Sequence, residues 1–169
     1  MLKLRELHIQ GFKSIDGEHG ATIPFGDVTV LLGANGAGKS NLVSFFKMLN
    51  FMISGALSQY VGQQGASRLL FYGPKKTESL SFELQFEDDN AVDTYSASLS
   101  YGLPDRLFFA QEEINFQRRD ALSPHHVSLQ ANDMESGLKS SPNKTSKVVY
   151  ALLSGICTYQ FHDTSDTAK

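Results

Sequence analysis

A chain of 169 residues, 41% apolar and 20% charged, is long enough to bury one core and too short for two independent ones. It has no long apolar run and no basic, apolar leader, which speaks against a membrane span and a secretory signal, and its single cysteine, Cys157, excludes an internal disulfide framework; the expected compartment is the cytoplasm. The formal charge of −3 is uneven: residues 1–76 carry eight Lys/Arg against four Asp/Glu, net +4, and residues 77–169 carry seven against fourteen, net −7, so the amino-terminal half suits a polyanion and a nucleotide suffices to explain it.

In chain order, "LKLRELHIQ" at residues 2–10 sets Leu2, Leu4, Leu7 and Ile9 against polar neighbours and predicts a strand with one half-buried face. "GFKSIDGEHG" must turn, and "ATIPF" predicts a short strand that Pro24 confines to an edge or an end. "VTVLL", residues 28–32, is apolar apart from Thr29 and predicts a strand buried on both faces that runs straight into a glycine loop. From Lys39 to about Ser54, apolar residues recur at three- and four-residue intervals, which predicts a helix packed between layers and ended by Gly55. Residues 55–77, rich in Gly, Gln and Ser, read as a loop or irregular insertion.

Further on, "SLSFELQFED", "DTYSASLSYG" and "RLFFAQEEINF" are separated by turn residues and predict an antiparallel meander over residues 78–116. Residues 117–146 have little periodicity and many turn residues, which predicts a flexible loop. A helix over about 147–155 and a strand "CTYQF" are expected to follow. No repeat with a period of 20–50 residues occurs, and no Arg/Lys stripe interleaved with aromatics argues for nucleic acid.

The chemistry is concentrated in "GANGAGKSN", residues 33–41, where Gly33, Gly38, Lys39 and Ser40 fit G-x-x-x-x-G-K-[ST]. Glycines permit positive φ and a close backbone approach to phosphate. Successive N–H groups then point inward, and the following helix adds its positive dipole end. Lys39 supplies a mobile charge for the β and γ phosphates, and the Ser40 hydroxyl is a suitable ligand for Mg²⁺. A chance match to these positions is expected roughly once in a few hundred sequences of this length.

"GANGAGKSNL" after "LHIQGFKSIDG" resembles the amino-terminal signature of ABC-type ATPases of the SMC, RecF and OLD-like group, most strongly over residues 1–54. The middle and the closing "YQFHDTSDTAK" are more weakly similar to bacterial AAA/ABC-type ATPases. The resemblance implies an α/β fold: a P-loop NTPase, here the amino-terminal lobe of an ABC-type ATPase with an added antiparallel β region. Residues 1–169 would form a single, incomplete nucleotide-binding domain with its strand, P-loop and helix core in 1–54. It implies ATP and Mg²⁺ as cofactors, with Gly33, Ala34, Asn35, Gly36, Ala37, Gly38, Lys39, Ser40 and Asn41 around the phosphates and Ser40 on the metal. A basic residue at Lys13 would lie near the nucleotide, an exposed turn lysine being the alternative. Such proteins dimerise through the nucleotide site, and some couple to DNA or to a partner protein such as a nuclease; no membrane is implied.

Hydrolysis in that group also uses an S-[DG]-G signature helix, a strand ending in Asp-Glu and a switch histidine, none of which is present. The expectation is an ATPase whose catalytic half lies beyond Lys169 or on another polypeptide, this chain alone being inactive; the alternative is a non-catalytic nucleotide-sensing or assembly module. A small P-loop kinase or GTPase is disfavoured by the lack of an N/T-K-x-D motif and by Asn35 and Asn41. In "LFFAQEE" Gln111 stands where a metal-binding Asp belongs, so Glu112 and Glu113 read as solvated acids on an edge strand rather than catalytic bases. "FEDD", Phe86 to Asp89, reads as a hairpin, His125 and His126 as loop residues, and Cys157 as a buried inert thiol. His162 and Asp163 occupy, by resemblance, the passage where the group senses the γ-phosphate; a frayed end is the plain reading.

Overall fold

The computed structural model describes residues 2–121, 123–129 and 134–159. Alternation makes the first element a strand, β1 (Lys3–Gln10), which buries Leu7 and Ile9 on one face. The short β2 (Ala21–Pro24) pairs antiparallel with it and forms an edge of the sheet, with Pro24 at the strand end. The long strands β3 (Ser79–Glu87), β4 (Ala91–Gly102) and β5 (Arg106–Arg118) follow as a meander, and β6 (His125–Ser128) closes the far edge. The sheet order is β2-β1-β3-β4-β5-β6, and every pairing is antiparallel. Leu7, Leu84, Tyr95 and Ile114 stand opposite one another across four strands and make a continuous buried row.

The helix α1 (Lys39–Ser54) buries Leu42, Phe45, Met48, Leu49, Met52 and Ile53, and sets the Phe45 ring 5.1 Å from that of Phe82 on β3. At about 1.5–3 kcal/mol for each fully buried apolar side chain, this face outweighs any helix propensity. Gly55, at φ 80°, ends the helix: its N–H reaches Met52 O, and that of Ala56 reaches Phe51 O.

Several expectations are corrected. Residues 28–32 form no strand; the segment lies outside the sheet, with Val28, Val30 and Leu32 exposed at 84%, 71% and 89%. A doubly buried strand needs neighbours along both edges and layers over both faces. Among the described residues both edges of β1 are taken, by β2 and β3, and no backbone–backbone hydrogen bond involves residues 28–32. Residues 55–77 are more ordered than expected: α2 (Leu57–Gln64) and the short α3 (Ala66–Leu69) form there, because Leu57, Tyr60 and Val61 share one apolar helical face.

Within 117–146, β5 runs on to Arg118, β6 pairs with it, and the final helix α4 begins early. That helix, α4 (Lys144–Ser154), starts three residues before the expected Lys147 because Asn143 caps it, accepting a bond from Thr145 N at 2.8 Å. Of the expected strand 157–161, residues 157–159 are in no strand and the remaining two lie outside the described residues, as do His162 and Asp163. Cys157 is exposed, since no strand carries it inward.

Two acids, Asp93 and Glu112, enter the core. A register shift between Ser98 and Leu99 inserts an extra residue in β5, so the inward parity set by Leu107 changes and Glu112 and Ile114 face inward. Glu112, expected as a solvated acid on an edge strand, is therefore 2% exposed in an interior strand. Its carboxylate accepts bonds from Tyr95 Oη at 2.6 Å, Gly137 N at 2.8 Å and Ser136 Oγ. Burial first, then the Glu112 charge, pushes the Tyr95 phenol well above its ordinary pKa. Glu135, in the same segment, accepts from Leu57 N and Ser58 N at 2.8 and 2.9 Å, so residues 135–137 are pinned between the sheet and the start of α2.

Candidate functional site

The glycine loop occupies the mouth of α1. Gly36 and Gly38 have φ of 87° and 88°, in the left-handed region where a side chain is strained, and Gly38 serves as the N-cap. Gly33 lies close to Ala37: a Cβ there would stand 3.2 Å from that of Ala37, a tight contact. Residues 33–37 are exposed, Ala34 and Ala37 being joined by a turn bond of 3.2 Å. The first turn of α1 begins at Lys39, so its free N–H groups and dipole end open on the loop.

Lys39 folds back over the loop, donating from Nζ to Gly33 O at 2.5 Å and to Ala34 O at 2.8 Å. Its ammonium thus sits above the loop's own carbonyls, available for exchange onto a stronger acceptor such as a phosphate oxygen. Ser40 is exposed, and among the described residues its hydroxyl makes no hydrogen bond. Asn35 is exposed at the loop's turn.

Asn41 and Lys13 are brought to one wall. Asn41 Nδ2 donates to Ser14 Oγ at 2.5 Å, linking the loop to the turn after β1. That turn is shaped by Gly11, at φ 70°, where a Cβ would lie 2.4 Å from Ser79 O, and by Lys13 at φ 52°. Lys13 is half-buried with Nζ 5.7 Å from the Phe12 ring centroid; burial, then the nearby Lys47, lowers its pKa. A cavity of about 640 Å³ opens beside this wall, bounded further by Arg68, Phe71 and Tyr72. Ser14, Arg68 and Tyr72 carried no role in the sequence reading. Ser14 lies inside the "LHIQGFKSIDG" stretch that carries the resemblance, whereas nothing local marks the other two, which long-range pairing delivers.

The remaining candidates lie elsewhere. Glu112 is in the core, and Glu113, on the opposite sheet face, accepts from Gln111 Nε2 at 2.5 Å. Phe86 to Asp89 span the end of β3 and the hairpin turn, where Asp88 accepts from Asn90 N and Ala91 N at 2.9 and 3.1 Å. His125 and His126 are on β6, with His126 Nδ1 2.9 Å from Asn115 Oδ1. Among the described residues no three His, Cys, Asp or Glu side chains gather where they could hold a metal ion, and no helix is long and apolar enough to cross a membrane.

No curated protein matches the chain. The family model described as AAA domain matches residues 6–146, taking in the second half of β1, the glycine loop, α1 and the whole meander. With most of its length covered by that match, the chain belongs to the AAA domain family of P-loop ATPases.

Proposed function

We propose that residues 33–41 bind Mg·ATP and that the chain works as the amino-terminal half of an ABC/SMC-like ATPase. In this reading two nucleotide sites face each other in a homodimer, and ATP-driven closing and reopening act on DNA or on a partner effector such as a nuclease. The observation that carries it is Lys39, held over Gly33 and Ala34 at 2.5 and 2.8 Å where left-handed glycines open a helix. Family membership supports ATP and Mg²⁺ as the cofactors.

The residues present fit magnesium through the exposed, unbonded Ser40 hydroxyl, with phosphate oxygens and water completing the shell; this suits a small cation that keeps much of its hydration. When bound, the metal neutralises charge on the β and γ phosphates. The chain's own contribution is to orient: loop N–H groups and the α1 dipole fix the phosphates, and Lys39 moves from carbonyls to a phosphate oxygen. Activating water is a different task, and Glu112 is committed to Tyr95, Ser136 and Gly137 instead. Signature and acid-ended strand motifs outside these residues would complete hydrolysis, and the exposed Val28, Val30 and Leu32 offer such a complement an apolar segment to pack on.

The test is titration with a fluorescent ATP analogue, with and without Mg²⁺, beside Lys39→Ala, while following oligomer mass. Saturable, Mg²⁺-dependent binding lost in the variant is expected. Turnover by this chain alone at about 1 s⁻¹, the range of competent phosphoryl-transfer enzymes, would overturn the division of labour. The sequestration of Glu112 also favours a second reading, a non-catalytic nucleotide-sensing or assembly module, in which ATP changes oligomer mass without ever being hydrolysed.

A further inference from the structure

The geometry points to a second copy of this chain as the occupant of the sheet's outward face, in a two-fold pair where each β4–β5 turn enters a hollow on the other copy. The outward face is the one turned away from α1: Phe82, which meets Phe45 of α1, alternates along β3 with Ser81 and Glu83. The contact is therefore separate from the pairing through nucleotide sites and needs no nucleotide. Two hollows share this face. One, of about 210 Å³, is lined by Phe82, Ala97, Ser81, Ser96, Ser98 and Gln111, with Glu83 beside them. The other, of about 550 Å³, lies at the turn and is lined by Leu103, Tyr101, Pro74 and Lys75 together with Ser79 and Ser100, which pair across β3 and β4. Ser98 borders the first and Ser100 the second, so they are neighbours along β4.

The first ground is charge. From the row Gln10–Ser81–Ser98–Gln111 to the row Glu6–Gln85–Thr94–Asn115, the outward positions hold Glu6, Glu83 and Glu113 and no Lys or Arg. Glu83 is exposed, and among the described residues its carboxylate has no hydrogen bond or ion pair. The turn has the opposite sign. Lys75, Lys76 and Arg106 are exposed, and among the described residues their side chains have no such partner either; Glu78 is the one acid lining that hollow. Arg106 pairs with Gly102, two residues on from Ser100, and so stands on the same outward face. A basic turn and an acidic hollow on one chain are matched when two copies meet.

The second ground is shape. Leu103 is 84% exposed on a turn that is braced from several sides. Tyr101 N donates to Glu78 O at 2.8 Å, Tyr101 Oη to Pro104 O at 3.0 Å, and Ser67 N to Asp105 Oδ1 at 2.8 Å. An apolar side chain held in this way, with cations around it, is an anchor that gives up little freedom on docking. The smaller hollow, walled by serines and an alanine, has room for one aliphatic side chain. Ser98 and Gly102 are separated by about 13 Å of strand, so turn and hollow are offset on one face. Set face to face about a two-fold axis, each copy gives a turn and receives one, which closes the assembly at two.

The experiment follows the mass of the whole chain without nucleotide, by sedimentation equilibrium over a concentration series. It compares wild type, Lys39→Ala, Leu103→Asp, Glu83→Lys and the double variant Lys75→Glu/Arg106→Glu. The changed residues of the turn and the hollow are exposed, and unchanged melting curves check that the variants fold. Wild type and Lys39→Ala should dimerise alike, and Leu103→Asp at least about tenfold more weakly. Glu83→Lys and the double variant should each stay monomeric alone yet form a mixed dimer together, because an acidic turn then meets a lysine. Failure of the two to form that dimer overturns the pairing. Association that every variant keeps runs through another surface, residues 28–32 included, and overturns it too. A monomeric wild type at about 0.5 mM, a concentration that populates even weak contacts, excludes a second copy as the occupant.

Discussion

The side-chain amide of Asn41 donates to Ser14 Oγ at 2.5 Å, joining residues 27 positions apart at the boundary between the glycine loop and the turn after β1. A glycine-rich loop loses conformational freedom when it closes on phosphate, and a tie to a second segment reduces that loss in advance. Ser14→Ala and Asn41→Ala should each weaken binding of an ATP analogue about three- to tenfold, in line with about 1 kcal/mol for one hydrogen bond. The double variant should be no worse than the weaker single one. Additive losses in the double variant would show that the two residues act separately.

Glu112 should govern folding rather than chemistry. Glu112→Ala leaves Tyr95 Oη, Ser136 Oγ and Gly137 N without their shared acceptor in a buried place, at a cost of about 2–4 kcal/mol in urea unfolding. Nucleotide affinity measured below the unfolding transition should be unchanged. If the variant keeps its stability but loses turnover in the complemented enzyme, Glu112 is part of the catalytic apparatus after all.

Asp93 gives the fold a pH dependence. It is 1% exposed, its Oδ1 makes no hydrogen bond, and burial, reinforced by the Asp88 charge, raises its pKa to about 6. The folded state therefore holds the proton more tightly than the unfolded one, whose carboxyl titrates near its ordinary value of ~3.9. The stabilisation is complete below that value and is lost as pH rises through about 6. Asp93→Asn should flatten the change in melting temperature between pH 4 and 7 and raise stability at pH 7.5 by about 1–2 kcal/mol. An unchanged pH profile in the variant would exclude Asp93 as its source.

Gly11 is the position where a single methyl group should do most damage near the site. An added Cβ would approach Ser79 O to 2.4 Å, against a backbone atom of the neighbouring strand, at a φ of 70° that alanine disfavours. Gly11→Ala should cost about 2–3 kcal/mol and displace the Lys13–Ser14 turn, lowering ATP affinity together with melting temperature. Loss of neither would mean that the turn adapts without strain.

The sequence revealed what is local. The glycine loop, the length of α1 and its stop at Gly55 follow from neighbouring residues alone, as do β1 and the Pro24 edge. Misreadings arose where distant residues decide. A strand as apolar as residues 28–32 is buried only if other strands come to it. Glu112 turns inward through an extra residue in β5 and is held by Ser136 and Gly137, more than twenty positions away. Leu57, Tyr60 and Val61 were hidden among glutamines and a glycine that lower helix propensity without preventing burial. Arg68 and Tyr72 lie beside Lys13 only because Phe12 bridges Leu70, a contact no spacing rule announces.

Val28, Val30 and Leu32 stand at alternate positions of an uncharged, β-prone segment, all of them open to water. Such a stretch is a template for the same stretch of another molecule, through intermolecular strand pairing that nothing in its composition opposes. The approach to the glycine loop is thus also a segment prone to aggregate. Its yield and shelf life at high concentration will be set less by the depth of its core than by whether these five residues find a cover.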